Sequence, residues 1–156
     1  MIVAGSAELA SGRFRRDRRI RDRDIDMLGH VNNVVWVRFV VELGYAHSEA
    51  VGWGQHGYRE LGAWWVVYRQ QVEYHAAAFP GETIVEETWV REMRGARSVR
   101  ESRFRRADDG ALLVTASTVW VLADIENQRP RRVPPELLSA FRLLDESAHP
   151  HKPSRR

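Results

Sequence analysis

The sequence predicts one α+β domain, a buried helix wrapped by a curved antiparallel sheet, and three observations predict it. First, an apolar run, Val34-Val35-Trp36-Val37-Arg38-Phe39-Val40-Val41, follows two asparagines and leads toward Gly52 and Gly54. That pattern predicts a helix from about Asn33 to about Val51, capped by asparagine and ended by glycine. Only Arg38 is polar between Val34 and Val41. A helix apolar on nearly every face has to be enclosed by the rest of the domain. Second, four later stretches, Ala63–Tyr74, Thr83–Arg94, Ala96–Arg106 and Ala111–Ala123, are rich in Val, Trp, Tyr, Phe and Thr and are strand length or longer. Third, 156 residues are enough for one real core and too few for two.

In chain order, residues 1–12 and 146–156 read as loose tails around a domain spanning 13–145. Phe14 to Arg23 is a heavily charged first strand, and a loop over Asp24–Asn33 leads into the helix. A second loop, around Gln55–Gly62, precedes the four strand-like stretches. Pro80-Gly81, Arg94-Gly95 and Asp108-Asp109-Gly110 separate these as turn signals. Short turns between successive strands predict an antiparallel meander of all four. Pro134-Pro135-Glu136 then opens a short helix through about Leu144, since proline is harmless in a first helical turn.

The chain has no cysteine, which excludes disulfide scaffolds, cysteine nucleophiles and thiolate metal sites. No basic stretch precedes an apolar core near Met1, and no apolar run approaches the ~20 residues that span a bilayer. A cytoplasmic protein without membrane contact is the default expectation. Six tryptophans exceed what solubility needs and suggest a large interior, a subunit interface or an apolar ligand tunnel. The net charge is only +3, and acids interleave with arginines throughout, so nucleic acid is not the expected partner. Lys152 is the only lysine among 24 basic residues. The arginines suit phosphate oxygens, or they reflect nothing more than base composition.

The chemistry is concentrated in Arg23-Asp24-Ile25-Asp26-Met27-Leu28-Gly29-His30-Val31-Asn32-Asn33. Asp26 faces a helix start, where free amides and the positive end of the dipole gather. A carboxylate there can act as base or nucleophile while an amide polarises a carbonyl. His30 can orient a carbonyl or shuttle a proton. Of Asn32 and Asn33, one suffices as a cap, leaving the other to organise the loop or touch substrate. Asp24 points the same way as Asp26 in an extended segment and reads best as the ion-pair partner of Arg21, Arg23 or another nearby arginine. A calcium loop over Asp22, Asp24 and Asp26 fails, because Met27 and Asn33 stand where glycine and glutamate are needed.

Asp-x-x-Gly-His-Val-Asn-Asn ahead of an apolar helix resembles the active-site motif of hotdog-fold acyl thioesterases of the 4-hydroxybenzoyl-CoA thioesterase-like family. The His-Val-Asn-Asn form is most similar to bacterial long-chain acyl-CoA and plant acyl-ACP thioesterases. Val72-Glu73-Tyr74 with Pro80-Gly81-Glu82, and Thr118-Val119-Trp120-Val121 with Arg129-Pro130 and Val133-Pro134, resemble later segments of that family, in order, from about residue 14 to 144. The resemblance implies a hotdog fold and hydrolysis of acyl-CoA or acyl-carrier-protein thioesters, with fatty acyl groups foremost. It implies Asp26 as the catalytic aspartate, acting as base or nucleophile, His30 as its assistant, and the amide near Asn33 as the group holding the carbonyl oxygen. Gly29, Val31, Asn32, Trp36, Tyr74, Arg94, Arg97 and Ser98 are the expected substrate contacts, and Arg94, Arg97 and Arg100, on or near a hairpin turn, suit the phosphates of coenzyme A or an acidic carrier protein. It further implies homodimers or homotetramers joined sheet edge to sheet edge, and no metal or redox cofactor. Leu28 departs from the plant enzymes, which carry asparagine there. A dehydratase or hydratase, and a non-catalytic acyl-CoA-binding module, are the rival readings on the same fold.

Overall fold

A computed structural model describes residues 7–151. The apolar run forms α1 (Asn33–Ala50), whose buried residues Trp36, Phe39, Val40, Leu43, Gly44, His47 and Ser48 recur every three or four positions and form one stripe. The opposite face is not enclosed as the apolar run predicts. Val34 is 74% exposed and Val37 37%. One chain covers one side of this helix and leaves apolar side chains on the other.

Around the buried side runs a six-stranded antiparallel sheet. In chain order its strands are β1 (Glu8–Ala10), β2 (Arg13–Arg19), β3 (Ala63–Tyr74), β4 (Thr83–Arg94), β5 (Arg97–Arg106) and β6 (Leu112–Asp124), and their spatial order is β1-β2-β4-β5-β6-β3. β4, β5 and β6 are a meander turning at Gly95 and Gly110, both at positive φ. β3 does not join it through a hairpin, which corrects the four-strand meander. It pairs with β6 from Ala63↔Asp124 to Tyr74↔Val114, at the far edge from β2. The link from β3 to β4 instead crosses beneath the start of α1, where Val31 N–H donates to Ala78 O and Ile20 N–H to Glu82 O. Pro80-Gly81 ends this crossover and does not form a two-strand turn.

Three further expectations change. The loop before β3 contains a helix, α2 (Gln55–Leu61), closed by Gly62 at φ 71 and held down by Tyr58, which is 3% exposed. The final helix α3 (Pro135–Ala140) stops four residues short of Leu144. The described parts of the flanking segments are also not loose. β1 pairs with β2, Trp89 Nε1 donates to Glu146 O at 2.9 Å, and Ala148 is 4% exposed with its N–H directed to Glu101 Oε2. Residues 1–6 and 152–156, including Lys152, lie outside the described residues.

α1 packs on two apolar clusters. Phe14, Trp36, Phe39, Phe104 and Leu113 belong to the one near its start, and Trp65, Val90, Trp120, Leu122 and Phe141 to the one near its end. Truncating one such aromatic to alanine costs about 3–5 kcal/mol, a large fraction of the stability of a small domain.

Candidate active site

The loop ahead of α1 is a tight hairpin. Ile25 and Val31 bridge antiparallel, both packing into the first apolar cluster. On one side of the bridge Asn32 N–H donates to Asp24 O at 3.1 Å. On the other, Asp26 N–H donates to His30 O at 3.1 Å and Gly29 N–H to Asp26 O at 3.0 Å. Gly29 closes the turn at φ +82, a conformation L side chains avoid. The pairing sets Asp26 directly across from His30, on the face away from Ile25 and Val31.

Within this hairpin Asp26 Oδ1 accepts from Leu28 N–H at 2.9 Å, which fixes the carboxylate. No described residue donates to its other oxygen. The side chain is half-buried. His30 Nδ1 lies 3.3 Å from Val31 O. That contact favours a proton on Nδ1 and leaves Nε2 as the nitrogen able to accept one.

The helix start supplies the donor. Asn32 is the cap, its Oδ1 accepting from Val34 N–H at 2.9 Å, while Val35 and Trp36 N–H both turn back to Asn32 O. Asn33 is the first helical residue, and its N–H has no protein acceptor among the described residues. It is the spare amide at the positive end of an 18-residue helix. Tyr74, at the end of β3, donates its hydroxyl to Asn33 O at 3.1 Å and so ties the sheet edge to the helix start. Partial burial raises the Tyr74 pKa, keeping the phenol neutral and able to donate.

Asp24 is 4% exposed, accepting from Arg21 N–H at 3.0 Å and Arg38 Nη2 at 2.9 Å. The Arg38 guanidinium reaches Glu42 at 3.5 Å, Glu42 reaches Arg18 at 2.9 Å, and Arg18 and Arg16 both bond the fully buried Glu86. This ion-pair chain anchors the hairpin to α1, β2 and β4. Asp24 is thus the ion-pair member the sequence suggested, but its arginine is Arg38, the one polar break in the apolar run, while Arg21 contributes only its main-chain N–H.

The structure brings together Asp26, Gly29, His30, Asn32, Asn33 and Tyr74. It does not bring the other expected contacts to them. Val31 and Trp36 are each 2% exposed, and Trp36 packs edge-on against Phe39 and Phe104 in the core, so neither side chain is an open wall. Arg94, Arg97 and Ser98 lie at the opposite end of the sheet. Arg97 pairs through Val121 with Val66, eight residues from Tyr74 along β3, which is about 25 Å at strand rise. Arg97 stacks on Tyr68, its Cζ 4.9 Å from the ring centre. Ser98 is buried beside Arg100 in a separate cavity. Leu28 and Met27 project from the hairpin, 77% and 102% exposed.

A long helix held in a curved antiparallel sheet is the hotdog fold, and the comparisons with known proteins make this protein a thioesterase of that fold. Residues 12–141 match the family model for the acyl-ACP thioesterase N-terminal domain, and the chain belongs to that family. No curated protein matches the sequence. Among solved structures it is similar to an acyl-ACP thioesterase from Bacteroides thetaiotaomicron, with TM-score 0.79 and 19% identity over 94% of this chain and 60% of that one. A 12:0-ACP thioesterase from Umbellularia californica gives TM-score 0.77 and 20% identity over 92% and 56%. A 1,4-dihydroxy-2-naphthoyl-CoA thioesterase from Synechocystis gives TM-score 0.77 and 17% identity over 86% and 99%. The chain thus spans little more than half the length of the two acyl-ACP thioesterases.

Proposed function

We propose that this protein hydrolyses fatty acyl thioesters of coenzyme A or acyl-carrier protein, with Asp26, His30 and the Asn33 amide as its machinery. The observation that carries the reading is the hairpin. It holds a carboxylate with one oxygen unengaged among the described residues, and leads into an N–H with no acceptor among them, at the positive end of a long helix. A thioester needs little more, because its carbonyl is already activated.

In the base version, Asp26 takes a proton from water as the water oxygen bonds the carbonyl carbon. Charge gathers on the carbonyl oxygen, where Asn33 N–H donates to it. The C–S bond then breaks, and the thiolate leaves with a proton relayed from Asp26 or His30. In the nucleophile version an Asp26 oxygen bonds the carbonyl carbon, the C–S bond breaks and the thiolate leaves to take up a proton, and water then hydrolyses the resulting anhydride to free acid and the Asp26 carboxylate. Tyr74 and Asn32 hold the helix start in place, and Gly29 gives the hairpin its turn.

The active unit in this reading is a homodimer. β3 is an unpaired edge with Val66, Val67 and Tyr68 exposed, and Met27, Leu28, Val34 and Val37 form an uncovered apolar surface beside Asp26. Antiparallel pairing of two β3 edges sets the Ala63 end of one strand beside the Tyr74 end of the other. Arg94 and Arg97, remote within one chain, then approach the second chain's hairpin, where coenzyme A phosphates or an acidic carrier would lie.

The test is thiol release across acyl-CoA and acyl-carrier-protein substrates by the wild type and Asp26→Asn. The expected loss in the variant is at least about 100-fold, on the scale of general-base contributions, with an unchanged far-ultraviolet spectrum. Near-normal turnover of every cleavable substrate by Asp26→Asn overturns the assignment. A single turnover in ¹⁸O-water separates the two versions, since label enters the Asp26 carboxyl only if that carboxyl is the nucleophile.

A further inference from the structure

Arg100, in the middle of β5, points under the second half of α1 and is 5% exposed. Among the described residues no carboxylate lies within ion-pair distance of it. Its Nη1 donates to His47 Nδ1 at 2.8 Å and to Thr88 Oγ1 at 3.2 Å, and its Nε and Nη2 have no acceptor among the described residues. A buried guanidinium without a counter-charge is among the costliest arrangements in a core.

The surroundings add donors and no acid. Trp120 Nε1 is buried with no hydrogen-bond partner among the described residues. Ser98, 4% exposed, adds a hydroxyl to the same wall. These groups line a cavity with about 20 Å³ of room for the centre of a water-sized molecule, enough for one small ion. Gly44 makes the space. A Cβ there would sit 3.3 Å from Arg100 Nε and 3.6 Å from Trp120 Cζ2, so the guanidinium and the indole edge converge on the one α1 position that has no side chain. The remaining walls are mostly apolar, and Tyr45, 39% exposed, is the one lining residue open to solvent.

We propose that this cavity is a binding site for a single small monovalent anion, a halide or a carboxylate, held by Arg100, Trp120 Nε1 and the Ser98 hydroxyl. All three can donate, one carries full positive charge, and the volume excludes anything the size of sulfate with its hydration. The site lies eleven residues along α1 from Asn33, about 16 Å at helical rise, so within one chain it is apart from the thioester site, and its existence does not depend on that activity.

Two measurements on the full chain test this. In the first, crystals are soaked in sodium bromide and the anomalous signal is mapped. A bromide peak is expected within hydrogen-bonding distance of both Arg100 and Trp120 Nε1. In the second, the melting temperature is followed at constant ionic strength as gluconate, too large to enter, is replaced by chloride, bromide or formate. A saturable rise is expected for the wild type. Arg100→Met should abolish it, and Trp120→Phe, which keeps an aromatic ring and removes the N–H, should weaken the apparent affinity several-fold. A formate response that also displaces the bromide peak identifies carboxylates as occupants, whereas a response to halides alone identifies the free ion. Absence of the bromide peak, or the same salt response in wild type and Trp120→Phe, overturns the proposal even if Arg100→Met fails to fold.

Discussion

His47 shows how one side chain can shape the acid response of the whole domain. Its Nδ1 accepts from Arg100, so the ring must be neutral when that bond forms. Burial first, and the Arg100 charge second, lower its pKa from 6.5 to about 3. The unfolded chain takes up a proton near the ordinary value while the folded chain resists it. Below pH 6.5 the unfolded state therefore binds more protons, and stability falls as pH drops, until the folded ring itself titrates at about 3. This one group contributes a slope of up to about 1.4 kcal/mol per pH unit across that window. His47→Asn keeps an acceptor for Arg100 and removes the titration. Urea unfolding should then show a visibly shallower loss of stability between about pH 6 and pH 4, and parallel curves for variant and wild type count against it. Asp24 has an equally local role, holding the Asp26 hairpin to Arg38. Half of Arg38 is in solvent, so screening limits the worth of that pair. Asp24→Asn should cost only about 1 kcal/mol in urea unfolding yet lower kcat more than it raises KM, because it loosens the loop that aims the carboxylate.

Elements declare themselves in this sequence where side chains carry the signal, and hide where backbone or partner choice does. β3, β4, β5 and β6 were legible from their β-branched and aromatic runs, with bounds within a residue of those observed. The position of β3 was not, because Pro80-Gly81 reports a local bend and says nothing about which neighbour a strand finds. α2 was hidden by its seven residues with Gly57 among them; Tyr58 packing, more than helix propensity, holds it. Asp26 and the asparagine cap were legible because the residue types and the spacing were both unusual. Arg100 was legible only as a charge: with Arg94 and Arg97 it suggested a phosphate contact near a hairpin turn, whereas the structure buries it under α1 against His47 and Thr88. The segment after α3 was mistaken for a tail because its anchors are main-chain groups, Glu146 O and Ala148 N–H. Ending the chain after Leu143 would strip a donor from Glu101, whose side chain is fully buried, and the acceptor from the Trp89 indole. The expected cost is about 2–4 kcal/mol by thermal or urea unfolding. Unchanged stability would restore the loose-tail reading.

For the molecule as a whole, the decisive fact is the set of groups one chain leaves uncovered. β3 is twelve residues of unpaired edge, and Val66 and Tyr68 are more than half exposed along it. Long apolar edges are normally shortened, charged or covered, because they recruit other chains. The apolar face of α1 beside Asp26 is likewise open. A two-fold pairing of β3 edges would cover the first and close a cleft over the second, turning an exposed hairpin into a site that sheds water and holds an acyl chain. Sedimentation should therefore give twice the 18.0 kDa chain mass or a multiple of it. Val66→Lys with Tyr68→Lys places like charges on both copies of the edge, and should yield a folded species of single-chain mass. If the dimer completes the site, that species should lose most thioester hydrolysis while Asp26 and its hydrogen bonds stay in place. A single-chain wild type with full turnover would instead assign the whole chemistry to one hairpin and one helix start, and would leave the edge for some other partner.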